Sequence, residues 1–203
     1  MCAFSFWNKL SSREKRITAI LVFFLVAVAI TIAGLLTPLR ESDVNELENT
    51  INSTRNTVNS LPLTQQVSFI FGNNFMLCLI GFVPIAGPAF EFYSLYSTGL
   101  VLQADSLTYN LNPILSFFLL FILPFTWMEF LAYSIAMAES CWLTWRLIQH
   151  RSKIEVKNAC LFISISALIL LVAAVIEVVL NQYFKSFQTA KFTIFSIFPF
   201  LFS

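Results

Sequence analysis

The sequence predicts an all-α fold: a polytopic helical membrane protein with about five transmembrane spans, one of them broken by a proline. Three observations predict it. Apolar residues make up 58% of the 203 and charged residues only 11%, where a soluble domain carries about 25% charge. Charge-free runs of membrane-crossing length recur along the chain. Lys and Arg gather in short clusters between those runs. Such a chain cannot cover itself with a hydrated surface, which excludes a soluble enzyme and a disordered regulator. A net charge of +1 leaves no basic field for a phosphate backbone, so no nucleic-acid partner is expected. We read residues 1–203 as a single membrane domain.

The first run, from Ile17 to Leu39, lies between Arg16 and Arg40, with Pro38 as its stop. It is too long for a signal-peptide core and reads as a retained anchor. A polar segment, residues 40–64, follows. Within it Val44, Leu47, Ile51, Thr54, Val58 and Leu61 recur at steps of three and four, the stripe of an amphipathic helix outside the hydrocarbon. That helix could lie on the membrane, pack on its own protein, or bind a partner.

A second span starts at Gln65 or Gln66 and runs to about Pro84. A third segment, from Glu91 to Gln103, is short and reads as tilted or re-entrant. Asp105 to Pro113 reads as a loop. The apolar stretch from Ile114 to Ile148 contains Pro124, which removes a helix hydrogen bond. We expect a half-helix over Ile114–Leu123, a break, and a full helix over Phe125–Gln149. A cationic loop with His150, Arg151, Lys153 and Lys157 precedes the last span, Asn158 to about Gln182. The Phe-rich tail, 192–203, is too short to cross and reads as interfacial.

Lys9, Arg13, Lys15 and Arg16 flank the first span, and Arg146, Arg151, Lys153 and Lys157 the last. By the positive-inside rule the N-terminus is cytoplasmic, residues 40–64 are external and the C-terminus is external.

The candidate site lies among polar residues within the apolar runs: Glu129, Glu139, Asn73, Asn74, Glu91 and Glu177, with the helix break at Pro124. A carboxylate at a helix centre costs about 2.5–3.5 kcal/mol on insertion scales. No Lys or Arg is expected within the spans to pair with them, which leaves protonation, hydrogen bonds to polar neighbours, or a wet cleft. Asn73 and Asn74 need partners across helices, and one of them is expected to cap the backbone freed near Leu120. Gly72, Gly81, Gly87 and Gly99 allow close helix approach. The four cysteines, Cys2, Cys78, Cys141 and Cys160, form no C-x-x-C pair. The one histidine, His150, leaves little for a metal centre or a Ser-His triad. There is no phosphate-cradling loop and no nucleophile elbow, so no enzyme activity, metal or cofactor is expected.

Phe71-Gly72-Asn73-Asn74 followed by Gly81 resembles the opening motif of the stage II sporulation protein M (SpoIIM) family. Thr98-Gly99 stands where that family usually has Asn-Gly, and Gln103 where it often has a second Gly. Leu123-Pro124-Phe125-Thr126-Trp127-Met128-Glu129 resembles its L-P-H-G-x-x-E signature, with Phe125 and Thr126 replacing His and Gly. Ala174-Val175-Ile176-Glu177 resembles its final A-x-I-E. The resemblance covers about Phe69 to Asn181. It implies a membrane scaffold that holds cell-wall-remodelling partners, with any hydrolysis performed by a partner. Two classes stay open. One is a non-enzymatic scaffold or complex subunit, in contact with lipid and with other membrane or extracytoplasmic proteins. The other is a small transporter or channel-like protein, which at this size would favour a homo-oligomer.

Overall fold

A computed structural model describes residues 11–149 and 152–188, all of whose regular elements are helices. Helix α1 spans Ser12–Leu35, α2 Glu41–Ser60, α3 Leu63–Gly81, α4 Ala86–Thr108, α5 Pro113–Leu120, α6 Pro124–Ile148 and α7 Ser152–Gln188. The expected interfacial tail, 192–203, lies outside the described residues, as do Cys2 and His150.

Each boundary has a local cause. Ser11 and Glu14 form a capping box at α1: the Glu14 carboxylate accepts from Ser11 N–H at 2.7 Å, and the Ser11 hydroxyl accepts from Glu14 N–H. Helix α1 ends three residues before Pro38, because residues ahead of a proline disfavour helical geometry. Asn112 caps α5 by accepting from Ile114 N–H at 2.9 Å, with Pro113 at the first helical position. Helix α4 continues through Asp105 to Thr108, so the expected loop shrinks to residues 109–112.

Helix α6 is the centre. Every residue from Ala132 to Ser140 is buried, with α1, α3, α4 and α7 packed around it. Phe130, Tyr133, Ala136 and Met137 meet Ala27 of α1, Cys78 of α3, Leu95 of α4 and Leu170 of α7 in the main core. A second core, around Leu35, Leu102, Phe117, Leu120 and Leu123, fills the space beside the break. Helices α1 and α4 touch backbone to backbone at Gly34 and Gly99. A Cβ on Gly99 would lie 2.2 Å from the Thr31 carbonyl oxygen, so no larger residue fits. Gly72, by contrast, faces open space.

The expectation of about five spans is corrected. Among the described residues two helices are long and apolar enough to cross a membrane, over Arg13–Leu35 in α1 and Val156–Tyr183 in α7. The number is three if α5 and α6, bent by 85°, count as one broken span. Freedom from charge was a poor proxy for apolarity. Helix α3 carries Gln65, Gln66, Ser68, Asn73 and Asn74, and α4 carries Glu91, Gln103 and Asp105. These amides, hydroxyls and carboxyls lower both helices below the apolarity a lone span needs.

Helix α2 packs on the C-terminal part of α4, burying Ile51 and Val58 of the expected stripe. Arg55 reaches Asp105 at 3.4 Å and the Tyr109 hydroxyl at 3.3 Å, and Thr108 donates to Glu48 at 3.3 Å. Of the three roles open for this helix, the structure gives packing on its own protein.

Candidate functional site

The site is built on α6, whose buried position lets it carry polar groups that never face lipid. Glu129 and Tyr133 are four residues apart and therefore share a face. On α3, Asn74, Cys78 and Gly81 stand at i, i+4 and i+7, the face turned to α6. The two faces meet. Asn74 Nδ2 donates to Glu129 Oε1 at 2.6 Å, and the Cys78 thiol lies 3.7 Å from the Ala132 carbonyl oxygen. Glu91 of α4 lies against Gly81, where a Cβ would meet its Oε1 at a clashing 2.4 Å. Glu177 of α7 is close enough to Glu129 for their carboxyls to interact electrostatically, and Tyr133 sits within range of Glu129, Glu91 and Glu177.

Four helices thus converge on one closed polar cluster. Asn74, Glu91 and Glu129 are wholly buried, and Tyr133 and Glu177 nearly so. Several of its atoms have no hydrogen-bond partner among the described residues: Asn74 Oδ1, both oxygens of Glu91, Glu129 Oε2, the Tyr133 hydroxyl and Glu177 Oε2. A buried acceptor without a donor is costly. A protonated carboxyl both donates and accepts, so protons held between these groups can close the inventory. No group of three or more His, Cys, Asp or Glu among the described residues could hold a metal ion.

The predicted residues do not all gather. Glu139 stands apart, near the end where α1 begins. There it meets Arg16, whose Nη1 donates to Oε1 at 2.7 Å and also to Oε2. The expectation that no Arg or Lys pairs with these carboxyls is therefore corrected. Arg16 bounds the first apolar run in the sequence, but antiparallel packing of α1 on α6 brings it level with Glu139. Asn73 is half-buried, beside the cluster residue Asn74. Pro124 is the first residue of α6, where its missing N–H is no loss.

The expected asparagine cap at the break is also corrected. Thr126 Oγ1 donates to the Leu120 carbonyl at 3.0 Å, and Trp127 Nε1 to the Phe121 carbonyl at 2.7 Å. Both donors lie in the first turn of α6, close enough in sequence to reach back across the bend. Asn74 is committed to Glu129 instead. Tyr133 was missed in the sequence, although its four-residue spacing from Glu129 was there to be read.

No curated protein and no solved structure matches the chain. A family model does, described as stage II sporulation protein M and matched over residues 19–181. That span includes Asn74, Glu91, Glu129, Glu139 and Glu177. A match over most of the chain shows the family: this all-helical membrane protein belongs to the SpoIIM family.

Proposed function

We propose that the chain is a non-enzymatic integral membrane scaffold, or a subunit of a larger membrane complex. Family membership supports this reading, and the observation that carries it is the closure of the polar cluster. Asn74, Glu91 and Glu129 expose no surface, so these groups join helices rather than line an open path. In this role Glu129, Asn74, Glu91 and Glu177 fix the packing of α3, α4, α6 and α7, and Glu139 fixes α1 through Arg16. The bundle formed by the described residues presents lipid-facing sides and the polar outer face of α2, with Asn45, Asn49, Ser53 and Asn56 exposed. That face suits an extracytoplasmic partner. We assign the cytoplasmic side to the N-terminus, with residues 40–64 and the C-terminus external.

The unpartnered oxygens of Glu91, Glu129 and Glu177 favour a second reading, a small transporter or channel-like protein. One pair of experiments separates the two. Affinity purification from native membranes in mild detergent is expected to recover a partner in fixed stoichiometry, lost when the exposed face of α2 is replaced. Recovery of the chain alone, together with ion or proton flux in proteoliposomes that Glu129→Gln abolishes, would overturn the scaffold.

A further inference from the structure

A groove of about 400 Å³ opens between the start of α1 and the C-terminal half of α6. It is lined by Lys15, Ala19, Ala138, Cys141, Trp142 and Trp145. Ala19 and Ala138 contribute its smallest apolar side chains, and Ala138 is itself wholly buried. Its walls are aromatic. Trp145 is 57% exposed and Trp142 half-buried.

The charge at this groove is not balanced. Arg16 is committed to Glu139, and its guanidinium also lies 5.6 Å from the Trp142 ring and 5.8 Å from the Phe162 ring. Glu14 is turned back to cap Ser11. Lys15 has no acidic partner among the described residues. One uncommitted ammonium therefore stands beside an apolar floor, with Arg13 nearby on α1.

The depth of the groove fits a membrane boundary. The candidate membrane span of α1 begins at Arg13, and after the charged residues 13–16 its exposed face continues with Ile17, Leu21 and Leu25. Tryptophans concentrate where hydrocarbon gives way to headgroups, and basic pockets between helices at that level hold acidic headgroups. We propose that this groove binds one anionic phospholipid. Lys15 takes the headgroup phosphate, and an acyl chain lies along Ala19 and the two tryptophans. A free phosphate ion would use Lys15 and leave the apolar floor uncovered, so the lipid is the occupant that the whole groove fits.

The test is native mass spectrometry of the full chain, released from detergent with added phosphatidylglycerol or phosphatidylcholine. One phosphatidylglycerol is expected to stay bound where phosphatidylcholine is lost. Lys15→Gln is expected to weaken that first lipid about five-fold, the effect of one lysine near an anionic surface. Trp145→Ala should weaken it as well, and Lys157→Gln should leave it within two-fold. Thermal unfolding checks that each variant is folded. Equal retention of the two lipids, or unchanged retention in both Lys15→Gln and Trp145→Ala, overturns the proposal. Displacement of the lipid by millimolar inorganic phosphate also overturns it, because it would reduce the groove to an ion site.

Discussion

Asn74 and Glu129 tie α3 to α6 through a 2.6 Å hydrogen bond between two wholly buried side chains. The bond uses the amide as donor and the carboxyl as acceptor. Gln at position 129 keeps an acceptor for Asn74 and brings an NH₂ donor to the neighbouring carboxyls. Leu keeps neither. Glu129→Gln is expected to hold the parent's thermal stability in detergent, whereas Glu129→Leu should lose about 1–3 kcal/mol for each group left unpaired. A Leu variant as stable as the parent would show that the pair does not hold the helices.

The Arg16–Glu139 pair is expected to be more sensitive to single than to double replacement. Removing one partner of a buried ion pair strands the other charge, at about 3–5 kcal/mol. Glu139 is 2% exposed against 15% for Arg16, so Arg16→Met, which strands the more buried charge, should cost more than Glu139→Met. Arg16→Met with Glu139→Met should recover most of the loss, since apolar side chains of similar volume can replace such a pair. A double variant no better than Arg16→Met alone would contradict this.

How much of this was legible in the sequence depends on the kind of signal. Pro124 marked the break, and α5 and α6 meet there at 85°. The stripe through Ile51 and Val58 marked the buried face of α2. The number of spans was not legible from charge. Asn73, Asn74, Gln65 and Gln66 are uncharged yet costly in hydrocarbon, and burial against α6 is a tertiary fact. Site membership split for the same reason. The periodicities of α3 and α6 point to Asn74, Glu129 and Tyr133, but Arg16 and Glu139 are separated by more than a hundred residues and meet only through packing.

Thr126 supplies the hydroxyl that satisfies the Leu120 carbonyl. Thr126→Val keeps the shape and removes the donor. It should cost about 1–2 kcal/mol in thermal unfolding, the scale of one buried group left unsatisfied. Thr126→Ser, which restores the hydroxyl, should recover most of that. Equal stability of the Val variant would mean that Trp127 alone suffices at the bend.

Ile85 sits in the turn between α3 and α4 with φ 69° and ψ −55°. Ala86 N–H donates to the Pro84 carbonyl at 2.8 Å, which makes this a γ-turn of the rare, strained hand. A β-branched residue is a poor occupant of that region, and Ile85 is 80% exposed, so little packing compensates. Helix α6 holds the turn in place: Thr144 Oγ1 accepts from Ile85 N–H at 3.0 Å, and Ser140 Oγ donates to the Val83 carbonyl at 2.6 Å. Ile85→Gly relieves strain of about 1–3 kcal/mol and loses about 0.4–1 kcal/mol to a freer unfolded chain. The variant should therefore melt at or above the parent temperature. A clear fall in melting temperature would mean that the Ile85 side chain has a stabilising contact of its own.

Asp105 is expected to make the docking of α2 on α4 depend on pH. Burial pushes its carboxyl up to about 6, against an ordinary value of 3.8; Arg55 opposes the shift and Glu48 adds to it. Burial outweighs the cation because Arg55 stands off at 3.4 Å. A raised folded-state pKa means that the folded protein binds the proton more tightly than the unfolded chain. The linked stability is fully present below about pH 4 and is lost as pH rises through 6. A rise from 3.8 to about 6 corresponds to about 3 kcal/mol, an upper bound on the change. Hydrogen exchange of the α2 amides is expected to quicken between pH 4.5 and 7.5, beyond the chemical rate increase that an unstructured peptide shows. Asp105→Asn cannot ionise, so its α2 protection should stay flat over that range. Protection in the parent that rises with pH would instead mean that the ionised Asp105–Arg55 pair holds α2 in place.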